Sequence, residues 1–291
     1  MLFHSSYTAL LTPFKDNKVD YSSYRELIDF QINNGTHGLV PVGTTGESPT
    51  LSHDEHKKLI EVCIEQSNGR VPVIAGAGSN STSEAVDFVK HACSAGADGL
   101  LVVTPYYNKP TQSGLLAHYK ELVKHTSKPI IIYDIPGRSV IQMTDQTMAE
   151  LAQDQFIVGV KDATADLTRP TRLQNVISDN FIQLSGEDGT ALAYLAAGGH
   201  GCISVTANIA PNLLSRMHNA WKQGDVNTAQ GINKKLMPLH DALFCETSPG
   251  PLKYAASLLG ICSSNARLPI VEIEEDSKLK VKDALKKTGL I

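Results

Sequence analysis

Long apolar runs are absent from this 291-residue chain, and none approaches the roughly 18 residues needed to cross a membrane. The opening stretch MLFHSSYTALLTPFKDNKVD turns polar too soon for a secretory signal. The expectation is a cytoplasmic protein with no membrane partner. An excess of one charge is also missing: 26 basic residues face 30 acidic ones, which gives no electrostatic footprint for nucleic acid. Paired cysteines are missing too. Cys63, Cys93, Cys202, Cys245 and Cys262 are odd in number, widely spaced and without a C-x-x-C pair, so they read as free, mostly buried thiols. No metal cluster is expected. The close histidine pair, His53 and His56, is spaced by three where a zinc helix of the H-E-x-x-H type needs four. Ser52 and Glu55 form a capping box there instead. The glycines of GAGSNS, residues 76–81, lack a third glycine in register, which excludes a dinucleotide fingerprint.

What the chain does have is regular alternation. Short apolar runs begin near residues 7, 37, 71, 99, 129, 156, 181 and 201: YTALLTP, HGLVPVG, VPVIAGAG, GLLVVTP, PIIIYDIP, FIVGVKD, FIQLSGE and GCISVTAN. Between them lie segments such as YSSYRELIDFQINN and STSEAVDFVKHACSAG, with apolar residues three and four apart. Eight βα units imply an α/β (β/α)8 TIM barrel, whose parallel strands are buried on both faces. Beyond about residue 224 the pattern is helical only. The reading is therefore a barrel over 1–224, carrying the active site, and a C-terminal helical region over 225–291.

Active sites of such barrels lie at the C-terminal strand ends. Those ends offer Thr44 and Thr45, Tyr106 and Tyr107, Tyr133 and Arg138, and Lys161. The loops SGEDG and TANIAP after the last two strands lack basic residues, which argues against a phosphorylated substrate. Lys161 closes the apolar run FIVGV. Either it extends its ammonium to water, or it sits in a pocket that uses an amine. An amine in a barrel mouth can attack a carbonyl and form a Schiff base, with tyrosine and threonine hydroxyls relaying protons and an arginine holding a carboxylate. From the residues alone, both readings stand.

Four segments carry a resemblance. GTTGES (43–48), TPYYNKPTQ (104–112), IIYDIPGR (131–138) and GVKDAT (159–164), in this order and at these strand ends, resemble the signatures of the dihydrodipicolinate synthase (4-hydroxy-tetrahydrodipicolinate synthase) family of pyruvate-dependent Schiff-base lyases and aldolases. The likeness continues through CISVTANIAP into the helical tail. It implies that Lys161 forms an imine with pyruvate, with no separate cofactor. Tyr133 would shuttle protons through Thr44 and Tyr107, while Gly43, Thr45, Gly186 and Ile203 would hold pyruvate. Arg138 would grip the carboxylate of L-aspartate 4-semialdehyde, and the product would enter diaminopimelate and lysine biosynthesis. In the family Tyr107 reaches into a neighbouring subunit, so the resemblance implies a homodimer or homotetramer. It further implies feedback inhibition by L-lysine at Ser48, Pro49, His53, His56, Asn80, Glu84 and Tyr106.

Each residue also has a plainer reading. Tyr106 and Tyr107 can be an interface patch, Thr44 and Thr45 turn residues, and Arg138 a loop ion-pair partner. His53, His56 and Glu84 can decorate two helix starts, with S-x-x-E capping patterns at Ser52 and Ser81. Two departures from the family pattern stand out: Asp134 where Asn is common, and ETSPGPLK with Ser248 where the tail carries Asn. N-acetylneuraminate lyases and 2-keto-3-deoxy sugar acid aldolases share the lysine and tyrosine, but usually lack the full YYNKPTQ and the arginine. A non-catalytic pyruvate-binding or regulatory barrel is expected to have lost Lys161 or Tyr133.

Overall fold

A computed structural model describes residues 3–291. All eight expected strands are present, parallel and separated by helices, the arrangement of a (β/α)8 barrel: β1 (Ser5–Ala9), β2 (Gly38–Val40), β3 (Ile74–Gly76), β4 (Gly99–Val103), β5 (Ile130–Asp134), β6 (Ile157–Asp162), β7 (Ile182–Ser185) and β8 (Gly201–Ser204). Four helices follow, Pro211–Lys222, Val226–Ala242, Gly250–Leu258 and Glu275–Thr288. Within the described residues no helix is long and apolar enough to cross a membrane.

The chain forms two compact units. One spans Pro72–Ile203 with the residues up to His4. In it β3 to β7 pair successively, and β8 pairs with β7. Ile130, Ile131 and Ile132 are buried without exception, as both-face burial requires. In β6, Gly159 lies opposite Ile182, and a Cβ there would strike its carbonyl oxygen. That close approach explains a glycine inside an otherwise bulky run. Register then aligns Tyr133 with Lys161 and Asp134 with Asp162 across β5 and β6.

The other unit spans Ser5–Val71 and Ser204–Ile291. Here β1 pairs with β2, and the side chain of Asn208 knits the unit together: its Oδ1 accepts from the Leu11 amide at 3.0 Å and its Nδ2 donates to the Ala9 carbonyl at 2.8 Å. A small antiparallel hairpin, Phe14–Lys15 with Lys18–Val19, was not expected from the sequence. Helix His53–Ser67 starts with the expected capping box of Ser52 and Glu55. The analogous box at Ser81 is not formed: the Ser81 side chain makes no cap bond, and Glu84 instead accepts from the Ser79 hydroxyl. All five cysteines are free, with Cys63 and Cys202 buried and the other three half-buried, so burial is less general than expected.

Candidate active site

Lys161 does not reach to bulk water. It is only 5% exposed, and its Nζ lies 4.2 Å from the centroid of the Tyr133 ring, its cross-strand partner. A strand fixes both backbones, so amine and phenol are held at one mouth by main-chain pairing rather than by a loop. In the same unit Ile203 is buried on β8, and at the end of β6 the Gly186 amide donates to the Asp162 carbonyl at 2.7 Å. A Cβ on Gly186 would stand 2.7 Å from the Ala163 Cβ, so the turn needs glycine. Glu187 follows; burial and the neighbouring Asp188 push its carboxyl above the usual range, and the charges of Lys161 and Arg138 pull it back. Both cations thus act on one half-buried carboxylate. Arg138 itself is exposed, on the short helix Pro136–Ser139 directly after β5. The Cys202 thiol is held well above its ordinary range by burial, which makes it a poor nucleophile.

After β4 the chain turns at Tyr106 and Tyr107, where the Asn108 amide donates to the Tyr106 carbonyl at 2.9 Å. Tyr107 is 86% exposed and sits at φ +74°, a left-handed conformation that costs a tyrosine energy. The fold spends strain to display this ring outward. Tyr106, in contrast, is half-buried, its hydroxyl pKa raised by desolvation and by the Glu84 charge. Asn80 lies with them, its carbonyl accepting from Asn108 Nδ2 at 2.8 Å. Asn80, Glu84 and Tyr106 therefore form one polar cluster.

Gly43, Thr44 and Thr45 belong to the other unit and follow β2 in a tight double turn: Gly46 and Ser48 amides donate to the Gly43 carbonyl and the Glu47 amide to the Thr44 carbonyl. Gly43 borders open space, whereas Gly46 packs against Leu10 and Val42. Thr45 is buried. The turn ends on Glu47, at φ +57°, whose buried carboxylate is ion-paired with the fully buried Lys253 and accepts from the Arg267 amide at 2.9 Å. Lys253 also lies 4.1 Å from the Phe14 ring centroid and donates to the Asn265 carbonyl at 2.7 Å. Ser48 and Pro49 form the 3-10 turn that follows, and His53 and His56 open the next helix, His56 buried and His53 exposed.

Sequence reasoning missed Lys253 and Arg169, both fully buried charges. Their segments, GPLKY and TRPTR, carry no mark that separates a buried cation from a surface one. Among the described residues no group of three or more His, Cys, Asp or Glu is placed to hold a metal.

The family model described as the dihydrodipicolinate synthetase family matches residues 2–288. The 4-hydroxy-tetrahydrodipicolinate synthase of Rhodospirillum centenum is 57% identical over 290 residues, covering 100% of both chains. The crystal structure of the dihydrodipicolinate synthase from Acinetobacter baumannii complexed with pyruvate is 40% identical, with a TM-score of 0.96 over 100% of each chain. That of the enzyme from Cyanidioschyzon merolae with lysine bound is 37% identical, with a TM-score of 0.96 over 99% of each. Signature segments, barrel and full-length identity coincide, and the chain belongs to the dihydrodipicolinate synthetase family.

Proposed function

We propose that this protein is a lyase that condenses pyruvate with L-aspartate 4-semialdehyde to 4-hydroxy-tetrahydrodipicolinate. The observation that carries the reading is the buried Lys161 amine against the Tyr133 ring at paired strand ends. Lys161 Nζ attacks the ketone carbon of pyruvate, and loss of water from the carbinolamine gives the imine. Removal of a methyl proton yields the enamine, whose terminal carbon bonds to the aldehyde carbon of the second substrate. That substrate's amine then attacks the imine carbon, closing the ring and returning Lys161. Tyr133 moves the protons, with the hydroxyls of Thr44 and Tyr107 as its relay. Gly43, Thr45, Gly186 and Ile203 hold pyruvate, and Arg138 pairs with the carboxylate of the semialdehyde. Incubating purified protein with both substrates is expected to consume them one for one. Cleavage of N-acetylneuraminate or a 2-keto-3-deoxy sugar acid, with no condensation, would overturn the reading.

The exposed, strained Tyr107 supports an assembled enzyme in which its ring completes a neighbouring subunit's relay. Tyr107→Phe is expected to lower kcat by about 10²-fold while pyruvate KM changes little, because only relayed protons are lost. Unchanged turnover would assign the ring to packing alone.

L-Lysine is proposed as a feedback inhibitor bound by Asn80, Glu84 and Tyr106 with Ser48, Pro49, His53 and His56. The lysine-bound relative supports this, as does the Glu84–Tyr106 cluster, which offers a carboxylate for an ammonium and hydrogen-bonding groups for the amino-acid end. Millimolar L-lysine is expected to inhibit the wild type and to act far more weakly on Glu84→Thr. Equal inhibition of both, or none of either, rejects the site.

A further inference from the structure

One step beyond Lys161 and Tyr133, β5 and β6 carry a second aligned pair, Asp134 and Asp162. Side chains alternate along a strand, so these carboxylates lie on the opposite face from the amine and phenol. Like charges placed opposite one another on neighbouring strands repel. Arg169 lies between them: its Nη1 is 2.8 Å from Asp134 Oδ2 and 3.7 Å from Asp162 Oδ1. Its remaining nitrogens are used as well, Nη2 donating to the Met143 carbonyl at 2.8 Å and Nε to Asp145 at 3.1 Å. The carboxylates are further fixed by the Met143 amide, which donates to Asp134 at 3.2 Å, and by the Thr164 amide and hydroxyl, which donate to Asp162 at 2.9 and 2.7 Å.

The placement of Arg169 is costly by local rules. It is a fully buried guanidinium at the first position of the helix Arg169–Gln174, where the helix dipole disfavours a cation. Burial alone would lower its pKa, and the carboxylates of Asp134 and Asp162 outweigh that and raise it. Apolar residues of similar volume are often as stabilising as a buried ion pair. What an apolar side chain cannot do is hold two carboxylates, and hence two strand ends, at a fixed separation. Local rules broken in this way concentrate where function needs them broken.

We propose that Arg169 and Asp134 are positioning residues for the Lys161–Tyr133 pair: the guanidinium bridges the carboxylates just beyond it and so locks the spacing of amine and phenol. The inference rests on the reading of Lys161 as the imine-forming amine. Proton transfer needs donor and acceptor within roughly 2.6–3.2 Å. A displacement of about 1 Å at the reacting groups can cost on the order of 10²-fold in rate.

The test compares Arg169→Met, Asp134→Asn and the double variant Arg169→Met/Asp134→Leu, with kcat, pyruvate KM and the rate of borohydride-trappable imine formation as readouts. Asp134→Asn keeps an oxygen for Arg169 and is expected to retain turnover within a few-fold. Arg169→Met is expected to lose at least tenfold in kcat and in trapping rate, with pyruvate KM little changed. The double variant removes Arg169 together with its nearer carboxylate and leaves Asp162 on the Thr164 amide and hydroxyl. It thus spares the loss of an unpaired Asp134 and supplies a second variant whose melting temperature is measured beside the single one, and its kcat is expected to stay at least tenfold low. A folded Arg169→Met or double variant with wild-type kcat and trapping rate would overturn the proposal. If the wild type itself gives no trappable imine, it is the reading of Lys161 that fails.

Discussion

Lys161→Ala loses turnover by on the order of a thousandfold or more and leaves no covalent adduct after treatment with pyruvate and borohydride. The expectation follows from placement. Lys161 is the penultimate residue of a strand buried along nearly its whole length, is itself buried, and stands 4.2 Å from the Tyr133 ring centroid. A lysine used only to cap a strand would extend into water and could be truncated at little cost. In the wild type, mass spectrometry of the digested protein is expected to find one reduced pyruvate on the peptide bearing Lys161. Tyr133→Phe keeps the amine but loses the hydroxyl, so its adduct should form more slowly rather than vanish. An adduct on another lysine, or none under conditions of turnover, would refute the assignment.

The strands were legible because their signal is local. Each apolar run supplies its own length and its own terminal residue, so the eight runs alone put Lys161, Tyr133, Arg138 and Tyr107 at strand ends or just beyond them. What stayed hidden depends on partners far away in the chain. Arg169 reads as one more charge in TRPTR, and only the fold brings it to Asp134, 35 residues earlier. Arg267 meets Glu47 across a separation of 220 residues. Even a local rule failed where a competitor stood nearby: at Ser81 the S-x-x-E pattern is intact, yet the Ser79 hydroxyl takes the Glu84 carboxylate. The hairpin at Phe14–Lys15 and Lys18–Val19 escaped notice for another reason, since two residues per strand are too few to show a period of two.

Lys253→Met destabilises the protein by about 3–5 kcal/mol, because it leaves the Glu47 carboxylate buried without its counter-charge. Both side chains are essentially inaccessible, and burial lowers the Lys253 pKa while Glu47 raises it, the signature of a pair that is costly to bury and costlier to break. For a chain of this size the change corresponds to a drop in Tm on the order of 10 °C. Glu47→Gln/Lys253→Met removes both charges and is expected to recover most of that loss. Function responds through the turn. Glu47 ends the Gly43–Thr45 loop in a left-handed conformation, and its carboxylate is tied to helix Gly250–Leu258 and to the Arg267 amide. Cutting that tie loosens the turn that carries Thr44 and Thr45, so, on the proposed role of Thr45 in holding pyruvate, pyruvate KM should rise in Lys253→Met. The C-terminal helices would then matter to chemistry through one buried ion pair rather than through any group of their own in the site. Thermal melts within about 1 kcal/mol of wild type, or a double variant no more stable than the single one, would show that the pair contributes little and that the loop is held by its backbone hydrogen bonds alone.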